Sequence, residues 1–216
     1  QVSEAMEMIH HASEQGYETM ANLMAVSNIT EEEIGAVLEA IATTPAGTMV
    51  IVDSFGHLYR EQIDRLYHKY AAAMKGTGKE IGIHAHNNMN LALSNSIEGN
   101  NNGIRWVDCT VTGMGRGPGN VKTEDLFNYS QKVGIHFFSS PYDFEAVDLL
   151  NDIQVPAHKI GSGDITWEDI IDKIGTSGKP IFISTGASEM EEVKRAMSIL
   201  LKKKAPICLM QCNTNY

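Results

Sequence analysis

Short apolar runs and amphipathic stretches alternate eight times along this chain, and that rhythm constrains the fold more than any other feature. The apolar runs fall at 19–25, 48–53, 80–84, 106–111, 135–139, 158–160, 180–184 and 207–211. Stretches of helical period lie around them at 3–14, 30–42, 58–74, 90–101, 123–133, 144–152, 166–174 and 188–203. A run that is apolar at successive positions is buried on both faces, as in a parallel sheet covered by helices. Crossovers between such strands are right-handed, and eight units close most economically as a (β/α)8 barrel of the TIM type. An open doubly wound sheet is the alternative. Helix starts are marked by Thr30 before Glu31, Glu32 and Glu33, by Thr166 before Glu168, and by Ser188 before Glu189. Lys202, Lys203 and Lys204 suit the negative end of the last helix.

Charge and cysteine content narrow the function classes. The 216 residues carry a formal net charge of −10, which argues against nucleic acid or an anionic membrane as the main partner. The three cysteines form no CxxC pair, as expected for reduced thiols in a cytoplasmic protein. No apolar stretch approaches the roughly 18 residues that a membrane span requires. The chain opens at Gln1 on a helical pattern, without a signal sequence or initiator Met, and reads as a piece of a longer protein or a trimmed one.

Polar residues gather at the C-terminal ends of the apolar runs, where barrels of this type do their chemistry. Asp53 and Ser54 close one run, and His84-Ala85-His86-Asn87-Asn88 closes the next. Two histidines two apart on a strand share a face and can offer two imidazole nitrogens to one divalent cation. A lone histidine would more often be a satisfied core or surface residue. The following run leads into Gly113-Met114-Gly115-Arg116-Gly117-Pro118-Gly119-Asn120. Its glycines allow close backbone approach to a ligand, Arg116 can hold a carboxylate, and Asn120 can reach a metal. A merely flexible loop is the other reading.

The order Val52-Asp53-Ser54-Phe55-Gly56, His84-Ala85-His86-Asn87-Asn88, Gly113 to Asn120 and Thr123-Glu124-Asp125 resembles the metal-dependent aldolase and lyase superfamily. That superfamily includes 4-hydroxy-2-oxovalerate aldolase, 3-hydroxy-3-methylglutaryl-CoA lyase and the isopropylmalate synthases. The resemblance covers roughly residues 1–127. It implies that His84 and His86 bind a divalent metal (Mn, Mg, Zn or Co), with Asn120 as a further ligand. It also implies catalytic roles for Asp53 and Arg116. The metal would polarise a 2-keto acid carbonyl and stabilise the enolate of retro-aldol cleavage. The Asp-Arg-Glu motif of that family, which supplies a carboxylate ligand, has no counterpart here.

From about residue 131 a second resemblance takes over. Phe137-Phe138-Ser139-Ser140-Pro141-Tyr142-Asp143, Pro156 to Asp164, Ile183-Ser184-Thr185-Gly186 and Gln211 to Tyr216 resemble sialic acid synthases. Those enzymes condense phosphoenolpyruvate with an N-acyl hexosamine. The resemblance implies that Lys159, Ser162 and Ser184 bind phosphoenolpyruvate and that Tyr216 lies near the sugar. Asp164 stands where that family usually carries a Glu that handles the sugar, and is expected to take a catalytic role there. The strands that supply that family's own metal histidines have no counterpart in the sequence.

The expected organisation is therefore aldolase-like units at 1–128 and synthase-like units at 129–216, forming a hybrid or incomplete barrel of two half-barrels. Three functions follow. The first is a divalent-metal-dependent carbon–carbon lyase or synthase for pyruvate-like keto acids, in acidic sugar or carbohydrate biosynthesis. The second is an N-acetylneuraminate-type synthase, and the third an inactive barrel scaffold. Expected partners are a keto acid, or phosphoenolpyruvate and a sugar, with neither nucleic acid nor membrane; a homo-oligomer is compatible with the sequence.

Overall fold

The structure, a computed structural model, describes residues 2–134 and 138–212. Its eight strands are β1 (Glu18–Leu23), β2 (Thr48–Asp53), β3 (Glu80–Ala85), β4 (Trp106–Thr110), β5 (Phe138–Ser140), β6 (His158–Ile160), β7 (Ile181–Ser184) and β8 (Ile207–Gln211). The helices are α1 (Val2–Glu14), α2 (Glu31–Ala42), α3 (Arg60–Met74), α4 (Ala92–Asn102), α5 (Thr123–Val133), α6 (Phe144–Asp152), α7 (Glu168–Gly175) and α8 (Met190–Lys202). The strands pair in parallel in chain order, and β8 pairs with β1 to close the barrel. The open-sheet alternative is not adopted.

Side-chain alternation divides the apolar residues into an inner and an outer layer. Inside the barrel lie Met20, Val50, Phe138, Phe182 and Met210. The Phe138 and Phe182 rings stack with centroids 4.5 Å apart, and Trp106 meets both edge-on at 5.8 and 5.6 Å. This aromatic plug fills the barrel beneath its mouth. Outside, Ile51, Ile83, Val107 and Leu126 belong to one cluster, and Ile171, Ile181, Ile183 and Leu200 to another. Burying each such side chain contributes about 1.5–3 kcal/mol.

The boundary expected at 128/129 falls inside α5, and the strands on either side of that helix pair directly. β4 and β5 run in register through Asp108↔Phe138, Cys109↔Ser139 and Thr110↔Ser140. The two segments thus close one continuous barrel; the ring is not incomplete.

Helix ends differ in detail from the sequence reading. Thr30 caps α2, its hydroxyl accepting from the Glu33 amide while the Glu33 carboxylate accepts from the Thr30 amide. At α8 the cap is Glu189, reciprocated by Glu192, one residue beyond the expected Ser188. The fifth apolar run begins at residue 135, outside the described residues, and β5 extends to Ser140. Among the described residues, no helix is long and apolar enough to cross a membrane.

Candidate active site

A cavity of about 810 Å³ opens at the C-terminal ends of the strands, and both segments of the chain line it. His84 and Asp108 stand opposite each other in register on β3 and β4, and Lys159 projects from β6. Asp108 Oδ2 lies 2.6 Å from His84 Nδ1 and 2.6 Å from Lys159 Nζ. His84 turns its other nitrogen towards His86, with Nε2 to Nε2 at 3.3 Å.

The charges explain one another. Burial alone would raise the Asp108 carboxyl, but Lys159 and His84 hold it well below the usual carboxylate range. Burial would lower Lys159, and Asp108 reverses that so that the ammonium is strengthened. Burial, with the nearby His84 adding to it, pushes His86 down to about 4. At neutral pH His86 is therefore an uncharged imidazole, the form that ligates metals.

The donor set fits a divalent ion in an open site. Metal–nitrogen bonds of about 2.0–2.1 Å with inter-ligand angles between octahedral and tetrahedral put two nitrogens roughly 2.8–3.4 Å apart, a range that includes the observed 3.3 Å. Asp108 on the far nitrogen of His84 supplies the carboxylate–imidazole pairing that orients metal-binding histidines. Asn120 forms an isolated backbone bridge with His86, and its buried Oδ1 has no hydrogen-bond partner among the described residues. Its Nδ2 donates to the Met114 carbonyl at 3.2 Å. The described residues contain no group of three or more His, Cys, Asp or Glu placed to hold a metal. His84, His86 and Asn120 would accordingly leave positions open for substrate or water oxygens.

The glycine loop keeps Asn120 in place. A Cβ at Gly115 would run into the Asn120 amide, and one at Gly119 (φ +79°) would lie 2.5 Å from the Gly113 carbonyl oxygen. Arg116 is exposed on this loop and lines the rim of the cavity.

The second segment supplies the opposite wall. Ser162 lines the cavity while its Oγ accepts from the Gly186 amide at 3.0 Å, and Ser184 is buried with its Oγ 3.8 Å from Met210 Sδ. Asp164 is half-buried on the same wall; burial raises its carboxyl and Lys159 partly counters this. Tyr216 lies outside the described residues. Asp53 is not brought to the cavity lining. It is fully buried, and its two oxygens accept from the His57 and Leu58 amides at 3.2 and 3.0 Å. Its carboxylate thus fixes the loop after β2, which packs under the backbone of His86 and Asn88 at Gly56.

Sequence reasoning missed Asp108 and Tyr142. Asp108 has a legible signal: it is the single acid inside an otherwise uncharged strand, two residues from Trp106 and so on the barrel-facing side. Tyr142 follows β5 and lines the cavity, and burial raises its phenol. It stands inside the Phe137 to Asp143 motif of the second resemblance, which carried no role for it.

Imidazoles, carboxylates and an ammonium around the C-terminal mouth of a parallel eight-stranded barrel define a barrel enzyme. Residues 1–153 match the model of the HMGL-like family, and the chain belongs to that family. Residues 119–216 match the NeuB family, so the two matches overlap through α5 and α6. Over 125 residues the chain is 34% identical to a 4-hydroxy-2-oxovalerate aldolase from Geobacillus genomosp. 3, covering 57% of this chain and 36% of the relative. Over 96 residues it is 38% identical to the N,N'-diacetyllegionaminic acid synthase of Campylobacter jejuni, covering 43% of this chain and 29% of the relative. The chain thus spans less than half the length of these curated relatives. Its fold is similar to that of N-acetylmannosamine-6-phosphate 2-epimerase from Clostridium perfringens, with TM-score 0.61 and 9% identity over 96% of this chain and 89% of that one. Its named relatives are aldolases and synthases, and the chain is an enzyme by family.

Proposed function

We propose that this chain is a divalent-metal-dependent carbon–carbon lyase or synthase acting on pyruvate-like 2-keto acids. One observation carries the reading: His84 Nε2 and His86 Nε2 face each other at 3.3 Å in the cavity that Lys159 also lines. His84, His86 and Asn120 hold the metal, which, when bound, supplies Lewis acidity to the substrate's keto oxygen. Lys159 and Arg116 pair with the substrate carboxylate, and Ser162 and Ser184 donate hydroxyl hydrogen bonds to its oxygens. Asp164, on the cavity wall with its carboxyl raised by burial, takes the proton of the substrate's 4-hydroxyl as the carbon–carbon bond breaks. Membership of the HMGL-like family supports the same reading. In this reading the enzyme is cytoplasmic and serves acidic sugar or carbohydrate biosynthesis.

A second reading, an N-acetylneuraminate-type synthase using phosphoenolpyruvate and an N-acyl hexosamine, is favoured by Lys159, Ser162 and Ser184 sharing one wall and by the NeuB match. Pyruvate release from 4-hydroxy-2-oxo acids, followed with lactate dehydrogenase in the presence of Mn(II), separates the two. The lyase reading expects release by the wild type and none by His84→Ala/His86→Ala. Phosphate release from phosphoenolpyruvate only when an N-acyl hexosamine is present, without pyruvate release from the oxo acids, would replace it with the second reading.

A further inference from the structure

Asp108 Oδ2 joins the two segments of the barrel inside the active site. It is bonded to His84 from the first segment and to Lys159 from the second, each at 2.6 Å. Asp108 is 8% exposed, and its other oxygen, Oδ1, is buried without a hydrogen-bond partner among the described residues. All of its pairing therefore runs through the shared oxygen, and the imidazole and the ammonium compete for it.

We propose that Asp108 is a positioning residue that makes the strength of the metal site depend on what occupies Lys159. This rests on the reading of His84 and His86 as a metal pair. A hydrogen bond from His84 Nδ1–H to Oδ2 leaves the Nε2 lone pair facing His86 and makes it a better donor. Lys159 draws charge from the same oxygen and so weakens that effect. An anionic substrate group, the carboxylate of a keto acid, that engages the Lys159 ammonium returns Oδ2 to His84. Substrate binding then strengthens metal binding, and by linkage metal binding strengthens substrate binding. Neither half-site has this property alone, because one contributes the imidazole and the other the ammonium.

The test is Mn(II) affinity, read by isothermal titration calorimetry, on wild type, Asp108→Asn, Lys159→Met and the double variant, with no substrate present. Loss of an outer-sphere carboxylate weakens metal binding by about tenfold or more, and that is the result expected for Asp108→Asn. Lys159→Met is expected to tighten Mn(II) binding severalfold when Asp108 is present and to change it less than twofold when Asn replaces it. The ¹⁵N spectrum of metal-free wild type is expected to show His84 as the Nδ1–H tautomer, a signature that a purely structural role would not require. Three results would each overturn the inference: Asp108→Asn binding Mn(II) as wild type does, an equal gain from Lys159→Met in both backgrounds, or His84 in the Nε2–H tautomer. If Asp108→Asn fails to fold, the wild-type tautomer and the Lys159→Met affinity decide, and an unchanged affinity counts against it. Absence of Mn(II) binding to well-folded wild type would instead overturn the proposed metal-dependent function, whichever tautomer is seen.

Discussion

Replacing Lys159 with Met keeps the length of the side chain and removes its charge, which isolates the value of the ion pair inside the barrel. Lys159 is 9% exposed and Asp108 8%, so the pair is nearly dry. Breaking a buried pair by removing one partner costs about 3–5 kcal/mol, because the other charge is left behind. Asp108 keeps one partner, His84, which puts the expected loss near the lower end, about 3 kcal/mol. For a domain of this size each kcal/mol moves Tm by about 2–4 °C, so the melting point should fall by about 6–12 °C. Thermal denaturation followed by circular dichroism reads this directly. The double variant with Asp108→Asn removes both charges, and its loss should fall short of the sum of the single losses by at least about 2 kcal/mol. A Lys159→Met variant within about 1 kcal/mol of wild type, or strict additivity in the cycle, would mean that Lys159 and Asp108 do not form a stabilising buried pair.

Two further perturbations test other parts of the account. His158 is fully buried, with its Nε2 3.0 Å from Asn151 Oδ1, and burial, helped by Lys179, pushes its pKa down to about 4. An unfolded histidine titrates near 6.5, so below that pH the unfolded chain takes up a proton that the folded one refuses. His158 should therefore lower stability as pH drops from about 6.5 to about 4, by about 3 kcal/mol from this residue. Urea titrations across that range should show a shallower decline in His158→Gln, and an identical slope would count against the assignment. In the glycine loop, Gly119→Ala must accept a left-handed backbone and a contact with the Gly113 carbonyl. It should cost about 1–2 kcal/mol from the conformation alone and weaken Mn(II) binding by displacing Asn120. Unchanged metal affinity would show that Asn120 is not a ligand.

The barrel was legible in the sequence because parallel strands are buried on both sides. Val50, Ile51 and Val52 on β2, or Ile181, Phe182 and Ile183 on β7, are therefore apolar at every position. The imidazole pair was legible for a different reason: a spacing of two puts both on one face where the extended backbone continues, and His86, one residue past the end of β3, keeps that direction through its bridge to Asn120. Asp108 was missed because what makes it functional is its register opposite His84 and its reach to Lys159, 51 residues away. Asp53 shows the converse. A carboxylate at a strand end suggests chemistry, yet the same position lets it accept two amides of the following loop, and sequence alone does not separate those uses. Closure across α5 was likewise settled by pairing between β4 and β5, a contact that two separate family resemblances do not encode.

In the proposed function the two segments build one metal-dependent site and not two remnants side by side. Anomalous diffraction from crystals of the protein soaked with Mn(II) and pyruvate distinguishes these arrangements. One Mn(II) peak is expected between His84 and His86, with pyruvate in the same cavity and its carboxylate against Lys159. Mn(II) bound elsewhere, or pyruvate bound at Lys159 with no metal at the imidazoles, would contradict the single metal-dependent site.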